Sequence, residues 1–407
     1  MSINTSGSKG NILLICSVFP PEEVTSAGMA YDLALELSKN SKVTVLRPKP
    51  TRPAGVAYPK EDSRFDEFNC ITIKSYTCPH SRLLGRFRES TDFGLRSAYY
   101  IIKHHKNIDY VYNDGWHIFG LFIVSFISKM YGIPYMVPIQ DVYPESLLTK
   151  GLKWNFLKSI ARWIISPLDR YTQKNADVVR TNNNEMAQYL SKTRGIPLGK
   201  YLCVYNWQNE SDFENIQRSN VEHENLIFSY VGSINVHSNV ELIIRAFHKA
   251  NIKNAVLRIY GGGNQCEACK AIAKELGNDN IYFDIVSRND VPKIQSNSDA
   301  LILALPTGNG RLCMPSKLVS YMLSAKPVIA SIDKDCASSV IIQDSKCGFI
   351  SKPDDIDELA ECLVKMADLP DTIKNEMGAR AYEYASNNLS KQPNLAKVVS
   401  AIYNSVN

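Results

Sequence analysis

The 407-residue sequence contains no apolar run of the ~20 residues that a membrane-spanning helix needs. Its most apolar stretch, Ile118 to Met130, is interrupted by Ser125, Ser128 and Lys129 and is expected to form a buried helix. The opening MSINTSGSKG lacks the charged, apolar and small-residue regions of an export signal, so a cytoplasmic protein is expected. Ten cysteines are scattered without the spacing of a disulfide framework, and several lie in apolar strand runs, as in a reducing compartment. Cys266 and Cys269 form a lone C-x-x-C with no second pair, which argues against zinc. Gly261-Gly262-Gly263 lacks the full G-x-G-x-x-G spacing and reads first as a tight turn, with nucleotide contact second. Asp333-Lys334-Asp335 has the form of a D-x-D metal clamp, but its setting after a strand of the second half is wrong for one. No metal is expected. Nor is nucleic acid, because the basic residues are dispersed and no recognition motif accompanies them.

What is present is ordinary for a folded protein: 44% hydrophobic and 21% charged residues. The length suits two α/β domains of roughly 200 residues each. The net charge of +5 is unevenly placed. Residues 1–206 hold 26 Lys and Arg against 17 Asp and Glu, whereas residues 207–407 hold 20 against 24. A basic first half suits anionic headgroups or a phosphorylated acceptor. Short strand-like runs alternate with helical patterns from Asn11 onward, the βαβ rhythm of a parallel sheet. Polar, aperiodic residues 206–225 read as a linker, after which the rhythm restarts at Ile227. The expected organisation is an N-terminal Rossmann-like domain over 1–206 and a C-terminal one over 207–385, facing a cleft. A helix over 386–407 is expected to return to the first.

The stretch GNGRLCMPSKLVSYMLSAKPVIAS, Gly308 to Ser331, follows a strand ending near Leu305. Its glycines allow close backbone approach. Pro315 can open a helix whose N–H groups at Ser316, Lys317 and Leu318 cradle a diphosphate, with Arg311 and Lys317 adding positive charge. With SVIIQDSKCGFISKPDDIDELAECL after it, this region resembles the donor-binding region of family 4 retaining glycosyltransferases of GT-B fold, in their O-antigen, capsule and exopolysaccharide branch. Three further pieces agree in order: SVFPPEEVTSAGMAYDLALEL, VPIQDVYPESL and YVGSINVHSNVELIIRAF. The resemblance therefore covers nearly the whole chain. It implies a nucleoside-diphosphate sugar held by Gly232, Ser233, Gly261, Arg288, Arg311, Pro315, Ser316, Lys317, Leu318 and Ser320, with no metal or other cofactor. It also implies a saccharide or polyprenyl-diphosphate-linked acceptor. The chain departs from the family at two positions eight apart, where glutamates usually contact donor sugar and ribose; Leu312 and Ser320 stand there. Ser233 and Asn235 likewise replace a basic pair.

In the first half, Gln140, Asp141 and Glu145 directly follow the strand Pro134 to Ile139. They are the candidate catalytic residues: the Asp141 and Glu145 carboxylates could orient an acceptor hydroxyl or the transferred sugar, with helix capping by Asp141 as the alternative. Ser26, Ala27 and Gly28 open the first helix and are candidates for contact with acceptor and diphosphate. Residues 153–165 place Trp154, Trp163 and several aliphatics among Lys and Arg, a pattern that suits either an anionic membrane surface or core packing. Two rival functions remain at this point. One is a sugar-nucleotide epimerase of the same fold, and the other is a non-catalytic donor- or lipid-binding partner in a polysaccharide assembly complex.

Overall fold

The computed structural model describes residues 10–22, 24–52, 58, 65–78, 83–115, 118–140, 142–145, 155–214, 225–277, 279–310 and 314–406. The chain forms two compact units, Met1–Val204 with Leu395–Asn407, and Tyr205–Asn394.

The first unit carries β1 (Asn11–Cys16), β2 (Lys42–Pro48), β3 (Asn69–Ile73), β4 (Tyr110–Asp114), β5 (Tyr135–Ile139), β6 (Val178–Thr181) and β7 (Tyr201–Cys203). They form one sheet in the order β3-β2-β1-β4-β5-β6-β7, with every pairing parallel. A parallel sheet is covered on both faces, so its strands read as apolar runs rather than alternations. Every residue of β4 and β5 is buried accordingly. Helices α1 (Thr25–Ser38), α2 (Leu83–His104), α3 (Ile118–Met130), α4 (Asn155–Asn175) and α5 (Asn184–Arg194) connect the strands. Asn183 caps α5 by accepting the Met186 N–H at 2.7 Å, and Gly195 ends it in the left-handed region.

Helix α2 begins at Leu83, and its first turns mix polar with apolar residues because part of what they bury is charge: Glu89 lies between Arg52 at 2.8 Å and Arg86 at 2.9 Å. Helix α3 buries one face only. Ser125 and Ser128 lie on that face, while Phe126 and Met130 are exposed.

The second unit carries β8 (Leu226–Val231), β9 (Ala255–Tyr260), β10 (Ile281–Asp284), β11 (Ala300–Ala304), β12 (Val328–Ser331) and β13 (Gly348–Ser351). Their order is β10-β9-β8-β11-β12-β13, again parallel throughout. The short α6 (Ser211–Glu214) precedes β8, and between the strands run α7 (Val240–Ala250), α8 (Cys266–Glu275), α9 (Val291–Ser296), α10 (Ser316–Leu323) and α11 (Ala337–Ser345). Helices α12 (Ile356–Ala367), α13 (Asp371–Asn388) and α14 (Lys391–Val406) complete the chain. Successive side chains of a strand point to opposite faces. Phe228, Tyr230, Ala300 and Ile302 therefore join Ile243, Phe247 and Leu363 on one face, whereas Val231, Leu301 and Leu303 join Leu318 and Met322 on the other. Each such leucine contributes ~1.5–3 kcal/mol on burial. The strand β13 carries no clear signal in the sequence: it is four residues long and opens with glycine, where a Cβ would stand 1.8 Å from the Val328 carbonyl oxygen.

Helices α2 and α3 touch backbone to backbone, with the Gly120 N–H donated to the Ser90 hydroxyl at 2.9 Å. A Cβ at Gly94 would lie 2.7 Å from the Gly120 Cα. Gly94→Val should therefore destabilise the first unit by about 1–3 kcal/mol through overpacking. Urea unfolding of the variant beside wild type checks this.

Candidate active site

Open α/β sheets take ligands beyond the carboxyl ends of their strands, where the strand order reverses. In the second sheet that point lies between β8 and β11. The loop leaving β8 starts at Gly232, whose φ of +150° suits only glycine. Its N–H is donated to the Tyr260 carbonyl at 2.8 Å. Gly261 follows β9, and a Cβ there would lie 2.1 Å from the Gly232 carbonyl oxygen; one at Gly263 would lie 2.0 Å from that of Ile234. The triple glycine is thus a close-packing device between two loops, as the tight-turn reading expects.

Lys317, one residue into α10, lays its stem over Gly232: its Cε would be 2.0 Å from a Cβ there. Its Nζ lies 5.1 Å from the centre of the Tyr230 ring. Tyr321 fixes the helix to β8, accepting the Val231 N–H at 2.9 Å and donating to the Val231 carbonyl at 3.1 Å. Gly232, Ser233, Gly261, Pro315, Ser316 and Lys317 are therefore brought together. The expected set of free amides at the α10 start shrinks, because the Leu318 N–H is donated to the Pro315 carbonyl at 3.0 Å. Leu318 itself is fully buried.

Three other donor candidates stand differently. Ser320 is buried, and its hydroxyl is donated to the Gln295 side-chain oxygen at 2.8 Å, which also accepts from Ser324 at 2.7 Å. It packs inward where the resemblance expects a ribose contact. Arg288 lies in the turn after the edge strand β10. Arg311 and Leu312 lie outside the described residues.

Two carboxylates missed by sequence reasoning hold the loop after β11. Asp333 accepts the Gly308 N–H on both oxygens, at 3.1 and 2.9 Å, and the Gly310 N–H at 3.3 Å. Asp354 accepts the Thr307 N–H at 3.0 Å, the Thr307 hydroxyl at 2.7 Å and the Asn239 amide at 2.7 Å. These bonds hold the Asp354 carboxyl below the usual carboxylate range, against the opposing pull of partial burial. The D-x-D-like stretch is thus a loop brace at its first residue. A carboxylate directly after a strand end was the available signal. The loop's Asn309 amide lies 3.4 Å from the His237 ring.

In the first unit Ala27 and Gly28 donate their N–H groups to the Val24 carbonyl, at 3.0 and 3.2 Å, so those amides serve the helix itself. Ala27 is fully buried; Ser26 is partly exposed and Gly28 exposed. Gln140 accepts the Asn182 amide at 3.2 Å. Asp141 lies outside the described residues.

Glu145, expected to act on substrate, is instead engaged by the protein. Arg194 donates to its two oxygens at 2.9 and 2.8 Å, and the Tyr189 hydroxyl donates at 3.0 Å. Burial opposes its charge, but these donors outweigh it and hold the carboxyl below its usual range. Arg194 also meets the buried Asp169 at 2.6 Å, whose carboxyl burial pushes up while Arg194 pulls it down. Glu145 therefore positions the segment after β5. The nine described cysteines are free thiols; Cys269 is buried within α8, and burial pushes its thiol up to about 11.

Residues 211–387 match the family model described as glycosyl transferases group 1. The matched residues lie within the second unit. Among curated proteins the chain is 22% identical over 262 residues to the probable glycosyltransferase WbjE of Pseudomonas aeruginosa. That match spans 61% of this chain and 64% of the relative's length. Among solved structures, Anabaena HepE in complex with UDP-glucose aligns with a TM-score of 0.64 at 15% identity, over 97% of this chain and 98% of that one. WaaG, a glycosyltransferase involved in lipopolysaccharide biosynthesis, aligns with a TM-score of 0.66 at 16% identity, over 96% and 99%. With its two parallel Rossmann-like sheets, the chain has the two-domain α/β fold of GT-B proteins.

Arg194→Met would leave Asp169 buried beside no cation and should destabilise by about 3–5 kcal/mol. Glu145→Gln should cost less, because Arg194 keeps Asp169; thermal unfolding of the two variants gives the order. Asp333→Ala should leave the Gly308 and Gly310 N–H groups without their acceptor and destabilise the second unit by about 1–3 kcal/mol. Thermal unfolding of the variant beside wild type reads this directly.

Proposed function

We propose that the protein is a retaining glycosyltransferase that moves a sugar from a nucleoside diphosphate to a saccharide acceptor in cell-surface polysaccharide biosynthesis. The observation that carries the reading is Lys317 laid over Gly232 at the start of α10, inside the segment that matches glycosyl transferases group 1. A fixed cation and a helix start at a strand-order reversal suit the negative charge that develops on a departing diphosphate. Lys317 supplies that charge without a metal. HepE, which is solved with UDP and glucose, and the lipopolysaccharide enzyme WaaG lend support through their shared fold.

In this reading the second unit binds the donor and the first presents the acceptor hydroxyl. The bond from the anomeric carbon to the diphosphate oxygen breaks as the acceptor oxygen forms its own bond on the same face. The departing diphosphate takes the acceptor's proton. We further propose a lipid-diphosphate-linked acceptor at the inner face of the cytoplasmic membrane, approached through α4. Trp163 is 80% exposed there and Ile164 44%, beside the exposed Arg162, which supports this reading, whereas Ile165 is buried and Lys153 and Trp154 lie outside the described residues. Among the described residues no helix is long and apolar enough to cross a membrane.

A second reading, a donor-binding partner without turnover, is favoured by one observation: Ser320 turns inward to Gln295 where the family resemblance expects a carboxylate on the ribose.

A melting-temperature and hydrolysis screen against UDP-glucose, UDP-galactose, UDP-N-acetylglucosamine, GDP-mannose and dTDP-rhamnose separates these readings, because a ligand of the native state stabilises it by mass action. Stabilisation by one nucleotide series with slow hydrolysis is expected of the transferase. Stabilisation with no turnover, even with acceptor lipid extract added, favours the partner, and release of a free epimer would make it an epimerase. Lys317→Ala should weaken binding of the stabilising sugar nucleotide by about tenfold or more.

A further inference from the structure

The strand order of the first sheet reverses between β1 and β4, and β4 ends there in Asp114. Asp114 is 9% exposed. Its backbone carbonyl accepts the Ser17 N–H at 3.1 Å and the Ser17 hydroxyl at 3.3 Å, which ties the ends of β1 and β4 together. Its carboxylate is a different matter: among the described residues no group donates a hydrogen bond to it. The nearby Arg180 guanidinium, 2% exposed on β6, donates instead to the Tyr112 hydroxyl at 3.2 Å. The other titratable groups facing Asp114 are the Cys16 thiol of β1 and the Tyr112 hydroxyl of β4, both pushed up, chiefly by burial. Burial pushes the Asp114 carboxyl up to about 6, with the Arg180 charge pulling it down.

A buried carboxylate that lacks a donor is costly to the folded protein. A sheet core has no need of one. At a strand-order reversal, however, an incoming ligand can supply the missing donor, and an alcohol is the neutral donor that a lone carboxylate binds well. We propose that Asp114 accepts a hydrogen bond from a sugar hydroxyl, as a substrate-binding residue of the first unit, in the transfer reaction on which this inference rests. The hydroxyl belongs either to the donor's sugar or to the acceptor, and the two sources are separable.

Asp114→Asn keeps the side-chain volume and leaves both bonds from Ser17 in place. Three readouts follow: melting without ligand from pH 5 to 8, the melting shifts given by UDP or GDP and by the stabilising sugar nucleotide of the screen, and hydrolysis of that sugar nucleotide. A carboxyl whose folded pKa is raised contributes stability below its unfolded pKa and loses it as pH rises toward 6, so the variant should melt at or above wild type at pH 8. If the donor sugar is bound, the variant loses the part of the shift that the sugar nucleotide gives beyond the bare nucleotide. If the acceptor is bound, that part stays and hydrolysis falls about tenfold or more, with water standing in for the acceptor hydroxyl. In either case the wild-type fall in the affected readout below pH about 6 is absent from the variant. A variant within twofold of wild type in hydrolysis, with the same shifts and the same pH dependence, overturns the proposal and leaves the glycosyltransferase reading standing. A wild type that no sugar nucleotide stabilises overturns both. Should the variant fold poorly, the pH dependence of the wild type decides: no fall below pH about 6 in either readout overturns the proposal.

Discussion

Contact between backbones at Gly232, Gly261 and Gly263 is the constraint on which the second unit's candidate site depends. Neighbouring strands lie about 4.8 Å apart, and the loops that leave them normally diverge. Here they close until no Cβ fits between them, and the Gly232 N–H meets the Tyr260 carbonyl at 2.8 Å. With no side chain at Gly232, the stem of Lys317 can lie flat across it. Tyr321, a turn further along α10, then locks the helix to Val231 by two hydrogen bonds. The start of α10 is held from below by these contacts and the loop before it by Asp333 and Asp354. A cation and backbone donors are thereby fixed before any ligand arrives, which is the arrangement that makes electrostatic help effective at a leaving group.

Both units hold loops with carboxylates that accept backbone N–H groups, Glu22 in the first and Asp333 and Asp354 in the second. The first adds ion pairs inside the protein: Arg194 between Glu145 and Asp169, and Glu89 between Arg52 and Arg86. Such pairs add little net stability over apolar packing, yet losing one partner is severe, so they specify a conformation more than they strengthen it. They also change the meaning of the basic first half. Arg47, Arg52, Arg180 and Arg194 are each no more than 8% exposed. Part of the surplus positive charge is therefore internal wiring and not a surface field.

Several predictions of architecture were legible in the sequence because parallel sheets bury both faces. The runs at Asn11 and Ile227 stand out as apolar, and the turn residues between them mark the alternation. What was not legible has a common cause. The first turns of α2 bury ion pairs and β13 opens on glycine, so neither shows the apolar period on which sequence reading rests; α3 was legible as a helix over Ile118–Met130, but not that one of its faces is exposed. The donor-side candidates near Gly232 were legible for a local reason, since glycine and proline punctuate loops whatever the partner. Glu145 was not. Its position after a strand is that of a ligand contact, but its role depends on Arg194, 49 residues further along, whose approach only the folded chain reveals.

The same comparison gives a physical criterion for sorting buried acidic residues. Glu22 accepts the N–H groups of Thr51 and Arg52, both at 2.9 Å; Asp333 accepts two N–H groups, and Asp169 is met by Arg194 and Gln173. Each has found its donors within its own unit, and its burial is offset there. A carboxylate so saturated has little left for a ligand, because a further donor would displace a bond of equal quality. Asp114 is buried to a similar degree with its carboxylate unmet among the described residues. Position at a strand end is shared by braces and binding groups alike. What separates them is whether the fold has already supplied the donor.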